Sequence, residues 1–228
     1  MPRQDAILER AVNARIRGKI DLVSAYSQHL MSIMDGHKTA ILTPWGLYEW
    51  TVMPQGLSNA VASWQRYMNW VLREFIGKCC EVYLDDILIY SNSIEEHEQN
   101  IRFILDTLRK HGLIASKTKC QLFADRIEFL GHYVSSNGLE LDSTKLEKIT
   151  HFPIPRSVGD IKSFLGIVNY LAMFDFLPGL VDQSSVLTAL TRKGGVFKWE
   201  RTHQQAFDMI KQLCRAVRFL QRLNYESE

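Results

Sequence analysis

The chain has 228 residues, of which 46% are hydrophobic and 23% charged. Those proportions match soluble globular domains and exclude collagen-like, low-complexity and largely disordered chains. A net charge of +2 neither demands nor excludes a polyanionic partner.

In chain order, Asp5 to Ile16 places Ile7, Leu8, Ala11, Val12 and Ile16 at helical spacing. A strand over Lys19 to Val23 follows and carries Asp21. Extended runs Ala40–Thr43 and Tyr48–Val52 flank Pro44-Trp45-Gly46, a hairpin turn. A helix is predicted from Ser58 to about Phe75, with Ala60, Val61, Trp64, Tyr67, Met68, Val71, Leu72 and Phe75 on one stripe. Cys80 to Tyr90 reads as two β-type runs joined at Asp85-Asp86. Ser93 and Glu96 form a capping-box pair that opens a helix to about His111, with Ile101, Ile104, Leu105 and Leu108 facing inward. Strands near Cys120–Phe123 and Ile127–Val134 come next, then a turn at Ser136–Gly138 into Leu139–Leu141. From Asp142 onward the pattern is helical, punctuated by Pro153, Pro155 and Pro178, with Thr202 and Gln205 capping the last helix. The expectation is an α+β protein followed by a helical C-terminal part.

Cys79 and Cys80 are adjacent, while Cys120 and Cys214 stand alone. They offer neither a disulfide framework nor a C-x-x-C zinc pair, which points to a reducing, intracellular setting, cytoplasmic or nuclear. No apolar run follows Arg3, so a signal peptide is not expected. The apolar stretch Phe164 to Phe174 has 11 residues, against about 20 for a membrane-crossing helix. No membrane partner is expected. The seven histidines are dispersed without metal-ligand spacing.

Asp85-Asp86 is open to two readings. Asp is a favoured turn residue, and a hairpin turn accounts for the pair. Two like charges at the edge of a core are costly without a cation, however, and Mg²⁺ takes carboxylate and phosphate oxygens. Asp21, on a neighbouring strand, is the candidate third carboxylate.

Ile20-Asp21-Leu22-Val23-Ser24-Ala25-Tyr26, Met53-Pro54-Gln55-Gly56-Leu57-Ser58-Asn59-Ala60 and Tyr83-Leu84-Asp85-Asp86 occur in the order of the reverse transcriptase motifs. Phe129-Leu130-Gly131-His132 resembles the gypsy-type LTR retrotransposon polymerases in particular. Ser163 to Tyr170 resembles the thumb, and Trp199 with Gln205-Ala206-Phe207 resembles the segment leading to ribonuclease H. The chain is similar to that family from about residue 2 to 213. The resemblance implies a right-hand polymerase: a palm over 1–138 with a fingers remnant at about 36–53, a thumb and connection over 139–199, and over 200–228 the lead into ribonuclease H with an unaligned tail.

It also implies RNA-directed DNA polymerisation, adding deoxynucleotides to a primer on an RNA or DNA template. Two Mg²⁺ ions, with Mn²⁺ as a substitute, would be held by Asp21 and Asp85 with Asp86 tuning the site. Substrate would meet Leu22, Tyr26, Gln55, Gly56 and Tyr83, with Tyr26 as the gate against a 2′-hydroxyl. Lys119 would assist the leaving pyrophosphate, and Phe129, Leu130 and Gly131 would form the primer grip. The alternative is a catalytically silent remnant that binds nucleic acid. The family has a basic residue near position 30, where this chain has His29-Leu30, and a proline where it has Val61. Further fingers before Met1 and a ribonuclease H domain are implied, supplied by other pol segments or a partner chain. The expectation is therefore exposed apolar surface near residues 1 to 20.

Overall fold

A computed structural model describes residues 2–141, 143–172, 179–192 and 197–216. The chain divides into two units, Met1–Phe129 and Leu130–Glu228.

The first unit contains α1 (Gln4–Val12), β1 (Ile16–Asp21), β2 (Ile41–Thr43), β3 (Gly46–Tyr48), α2 (Ala60–Val71), β4 (Cys80–Tyr83), β5 (Asp86–Ser91), α3 (Ile94–Lys110), β6 (Gln121–Ala124) and β7 (Arg126–Phe129). Four strands form an antiparallel sheet in the order β4-β5-β1-β6. Side chains alternate across a sheet, so its two faces have different tasks. Ile20, Leu22, Cys80, Val82, Ile87 and Ile89 pack with Trp64, Met68, Val71 and Leu72 of α2 and Ile101, Ile104 and Leu108 of α3. The opposite face carries Arg17, Lys19, Asp21, Glu81, Asp86 and Leu88, and α1 meets part of it through an Arg10–Glu81 ion pair of 2.5 Å. The acids Asp21 and Asp86 lie at one end of that face.

Arg17 ties α1 to the sheet. Its side chain is fully buried, and the guanidinium donates to the carbonyls of Ala11 (2.8 Å), Val12 (3.0 Å), Ala14 (2.6 Å), Asp125 (3.2 Å) and Arg15 (3.4 Å). Several of these belong to the C-terminal end of α1, where carbonyls lack intrahelical partners and a cation is favoured. Burial pulls the guanidinium pKa down while Asp125 opposes it, yet an arginine stays charged. Next to it, Gly18 runs so close to β6 that an added Cβ would sit 2.7 Å from the Leu122 carbonyl oxygen.

The capping box opens α3 as expected. Ser93 Oγ accepts from Glu96 N at 3.2 Å, and Glu96 Oε2 accepts from Asn92 N at 3.0 Å. Buried His97 joins Ser91 Oγ (3.0 Å) and the Leu122 carbonyl (2.8 Å).

The second unit holds the hairpin β8 (His132–Ser135) and β9 (Gly138–Leu141), then α4 (Ser143–Thr150), α5 (Val158–Ala172), α6 (Leu180–Ala189) and α7 (Arg201–Ala216). Ile149, Ile161, Phe164, Val168, Leu187, Phe207 and Ile210 are buried there. Phe164 packs on Phe207 with ring centroids 4.6 Å apart. Among the described residues, no helix is long and apolar enough to cross a membrane.

The structure corrects several expectations. The surface near residues 1–20 is not apolar and bare: Ile7, Leu8 and Ala11 of α1 are buried, and Ile20 is buried on the other face of the sheet, in the core shared with α2 and α3. Among residues 30–50, by contrast, Leu30, Ile33, Leu42 and Trp45 protrude. Strand β1 begins and ends earlier than expected, at Ile16 and Asp21. The run Ile127–Val134 breaks at Leu130-Gly131, both at positive φ (51° and 71°). Val61 and Leu105 are exposed, on the outer sides of α2 and α3. Thr202 lies inside α7, whose start is held by His203 Nδ1 accepting from Glu200 N at 3.1 Å. Lys211 recurs with Arg215, Arg218 and Arg222 at a spacing that predicts a solvated basic helix face. It donates to the Phe152 carbonyl at 2.5 Å and lies over the Phe207 ring. Arg218, Arg222 and Pro178 lie outside the described residues.

Replacing Arg17 by Met leaves several buried carbonyls without a donor. We expect a loss of about 3 kcal/mol in stability, read as a lower urea midpoint by tryptophan fluorescence. An unchanged midpoint would contradict this role.

Candidate active site

Asp21 ends β1 and Asp86 opens β5, and the antiparallel register sets them directly opposite one another. Beyond them, Leu22 N donates to the Asp85 carbonyl at 3.2 Å and Ser116 N donates to the Asp21 carbonyl at 2.8 Å. Three carboxylate residues are thus carried to one edge of the sheet by backbone pairing alone. Asp85 is exposed, while Asp21 and Asp86 are half-buried.

Tyr83 pairs with Asp86, so Leu84 and Asp85 form the hairpin turn. The turn is not Asp85-Asp86, because Asp86 belongs to β5. Leu84 takes φ 58°, the sign that two-residue hairpins usually assign to Gly at the first turn position. Side chains of α2 hold it there. Gln65 Oε1 accepts from Leu84 N at 2.8 Å, Gln65 Nε2 donates to the Val82 carbonyl at 3.0 Å, and Trp64 Nε1 donates to the Leu84 carbonyl at 2.9 Å.

Two lysines face the acids. Lys19 Nζ is 2.9 Å from Asp86 Oδ1, and Lys119 Nζ is 3.4 Å from Asp21 Oδ1. That Asp21 oxygen is buried and accepts no hydrogen bond, a costly state for a carboxylate that a cation would relieve. Burial pushes the Asp86 carboxyl up; Lys19 opposes the shift, and the charges on Asp85 and Asp21 add to it. Hard carboxylate oxygens at a crowded edge are the donor set Mg²⁺ takes, so Asp21, Asp85 and Asp86 fit such an ion by chemistry. Among the described residues, no three acidic, histidine or cysteine side chains already converge as a metal cage.

The other expected residues fall in different places. Tyr26 sits in a short helical turn, Ala25–Gln28, entered through Ser24 at φ 45°. Burial, then the Asp85 charge, pushes its hydroxyl pKa up, so the phenol stays neutral beside the acid edge. Its ring lies 6.2 Å from Trp64. Gln28, which sequence reasoning passed over, donates to the carbonyls of Val23 and Ile114 and accepts from Ile114 N, fixing the approach to Tyr26. The Leu22 side chain is buried in the core, leaving its backbone at the edge. Gln55 and Gly56 are exposed on the segment entering α2, with Gly56 at φ 99°. Tyr83 Oη accepts from Gln4 Nε2 at 2.7 Å. Phe129 is a buried core residue ending β7, and Leu130 and Gly131 begin the second unit. A cavity of about 530 Å³ between residues 29–39 and the start of α2 is lined by His29, Met31, Met53 and Asn59, and by none of the expected site residues.

Residues 2–134 match the family described as reverse transcriptase (RNA-dependent DNA polymerase). The chain is 33% identical over 214 residues to the Tf2-3 transposon polyprotein of Schizosaccharomyces pombe, covering 93% of this chain and 16% of that protein. It is 37% identical over 192 residues to the retrovirus-related Pol polyprotein from transposon opus of Drosophila melanogaster, covering 84% of this chain and 19% of that one. It therefore spans less than a fifth of these curated relatives. Among solved structures, the foamy viral protease-reverse transcriptase in complex with double-stranded DNA matches with a TM-score of 0.85 at 25% identity, over 100% of this chain and 40% of that one. The same protein in complex with an RNA/DNA hybrid gives 0.79 at 25% identity, over 94% and 30%. The α+β arrangement, an antiparallel sheet backed by helices, is the palm-like fold of those neighbours.

Asp86 holds its proton to higher pH when folded than when unfolded. Its ionisation therefore costs stability as pH rises from the ordinary value of 3.8 through the raised one. Asp86→Asn cannot ionise, so it is expected to gain on the wild type between pH 3 and pH 7. Urea midpoints at both pH values test this; a variant that loses ground as pH rises would contradict it.

Proposed function

We propose that this chain, which belongs to the reverse transcriptase family, is the RNA-directed DNA polymerase core of an LTR retrotransposon. It would extend a primer on an RNA or DNA template with deoxynucleoside triphosphates. The observation that carries the reading is the backbone pairing of Asp21 with Asp86, and of Leu22 with Asp85, at one sheet edge. The palm is assigned to 1–138, the thumb and connection to 139–199, and the lead into ribonuclease H to 200–228.

Asp21 and Asp85 would hold two Mg²⁺ ions, or Mn²⁺, which lower the pKa of the primer 3′-hydroxyl and neutralise the triphosphate. Asp86, ion-paired to Lys19, tunes the field at that edge. Lys119 reaches the edge from the segment before β6 and is suited to donate a proton to the departing pyrophosphate. Tyr26 presents a neutral ring close to Asp85, suited to exclude a 2′-hydroxyl. The backbone of Leu22, with Gln55, Gly56 and Tyr83, would position the nucleotide, and Phe129, Leu130 and Gly131 the primer end. Catalysis by such a site is mostly positioning and charge neutralisation.

A second reading, a silent nucleic-acid-binding remnant, draws on the same ion pairs. Lys19 and Lys119 already bring positive charge beside Asp86 and Asp21 without an added cation.

Primer extension with Mg²⁺ on an RNA template separates the two readings. Asp21→Asn and Asp85→Asn are each expected to lower the rate at least about 100-fold while leaving primer–template affinity within about twofold. Template binding without extension by the folded wild type would leave the silent reading standing. In the same assay Tyr26→Ala should relax discrimination against ribonucleotides by about tenfold or more. Unchanged discrimination would remove Tyr26 from that role.

A further inference from the structure

We propose that Gln65, with Trp64, is a positioning residue that aims Asp85; this rests on the reading of Asp85 as an ion-holding residue. Leu84 occupies a backbone region that a side chain disfavours, with φ 58°. Such a conformation persists only where surrounding groups over-determine it. Here they do. Gln65 is 4% exposed and Trp64 0%, so neither is a solvated side chain that happens to touch the turn.

The bonds fall at informative places. Gln65 Oε1 takes the Leu84 N–H and Trp64 Nε1 gives to the Leu84 carbonyl, so both peptides flanking Leu84 are tied to α2. The Leu84 carbonyl belongs to the peptide that enters Asp85. The peptide that leaves Asp85 is tied in turn to Leu22 N at 3.2 Å. Asp85 is therefore pinned on both sides, by α2 before it and by the β1 end after it, although its own side chain is exposed. Gln65 is itself oriented: its Nε2 donates to the Val82 carbonyl (3.0 Å) and to Asn69 Oδ1 (2.9 Å). The amide is thereby locked with its oxygen toward Leu84. A buried polar pair that served α2 alone would not need to reach the one strained residue of this hairpin.

A purely structural role predicts something different from a positioning role, and Leu84→Gly separates them. Gly accepts positive φ without steric cost, so it removes the need to hold strain while leaving the tethering bonds available. The 228-residue chain is compared with Asp85→Asn, Gln65→Met, Leu84→Gly and the Leu84→Gly/Gln65→Met pair. Each is measured for single-turnover extension rate per active site, nucleotide KM, Mn²⁺ affinity and urea midpoint.

We expect Gln65→Met to lower the rate per active site by about tenfold or more and to weaken Mn²⁺ binding, with KM changed less than the rate. The double variant is expected to have a lower urea midpoint than Leu84→Gly, because the Val82 carbonyl and the residue-84 N–H lose their Gln65 partners, and, measured where both are folded, to be about tenfold slower than it. That comparison decides the matter even where Gln65→Met alone does not fold. Equal rates and Mn²⁺ affinities for the double variant and Leu84→Gly would overturn the positioning role while leaving the Asp85 reading intact. If Asp85→Asn itself matched the wild type in Mn²⁺ affinity and extension, the site reading would fail and the positioning role would fall with it.

Discussion

Pairing β1 with β5 puts Asp21 opposite Asp86, and the rest of the acid edge follows from that register. A slip of one residue would turn every side chain of β1 over. Ile20 and Leu22 would leave the core shared with α2 and α3, and Asp21 would enter it. Burial of Ile20, Ile87 and Ile89 at 0% exposure thus enforces the register, and the register places the carboxylates. Hydrophobic packing on one face of the sheet fixes electrostatics on the other.

The electrostatic problem created there is only partly solved by the protein. Lys19 and Lys119 approach Asp86 and Asp21, yet burial still pushes the Asp86 carboxyl up and one Asp21 oxygen accepts no hydrogen bond. A fold selected for stability alone would replace such a pair with apolar residues. Contrast Arg10 and Glu81 on the same face, where an opposite-charge contact also engages Tyr90 and the arrangement is closed. The acid edge is open in a way the Glu81 cluster is not, and an added cation is what would complete it.

Much of this was legible in the sequence, for identifiable reasons. Apolar periodicity found α1, α2 and α3, and the Ser93–Glu96 pair fixed where α3 begins, because capping is a local interaction. Ordered motifs singled out Asp21 and Asp85-Asp86, which the β1–β5 pairing brings to one sheet edge. What escaped depends on contacts between elements. Gln65 interrupts an apolar stripe, so a search for apolar spacing cannot show that its face is buried. The turn was misplaced by one residue because no Gly marks the positive-φ position, which Leu84 holds only with help from α2. The apolar surface expected at residues 1–20 is covered because Arg17 and α1 close over the sheet, an association between distant residues such as Arg17 and Asp125. The periodicity that places Ile104 and Leu108 inward predicts the same for Leu105, which is exposed.

The central claim is that Asp21 and Asp85 together form a divalent-cation site. Its most direct test is a Mn²⁺ titration followed by electron paramagnetic resonance, with primer–template and a non-extendable triphosphate present. The account predicts that the wild type removes free Mn²⁺ signal at concentrations where Asp21→Asn and Asp85→Asn, both folded and template-bound, do not. Indistinguishable titrations for all three would contradict it.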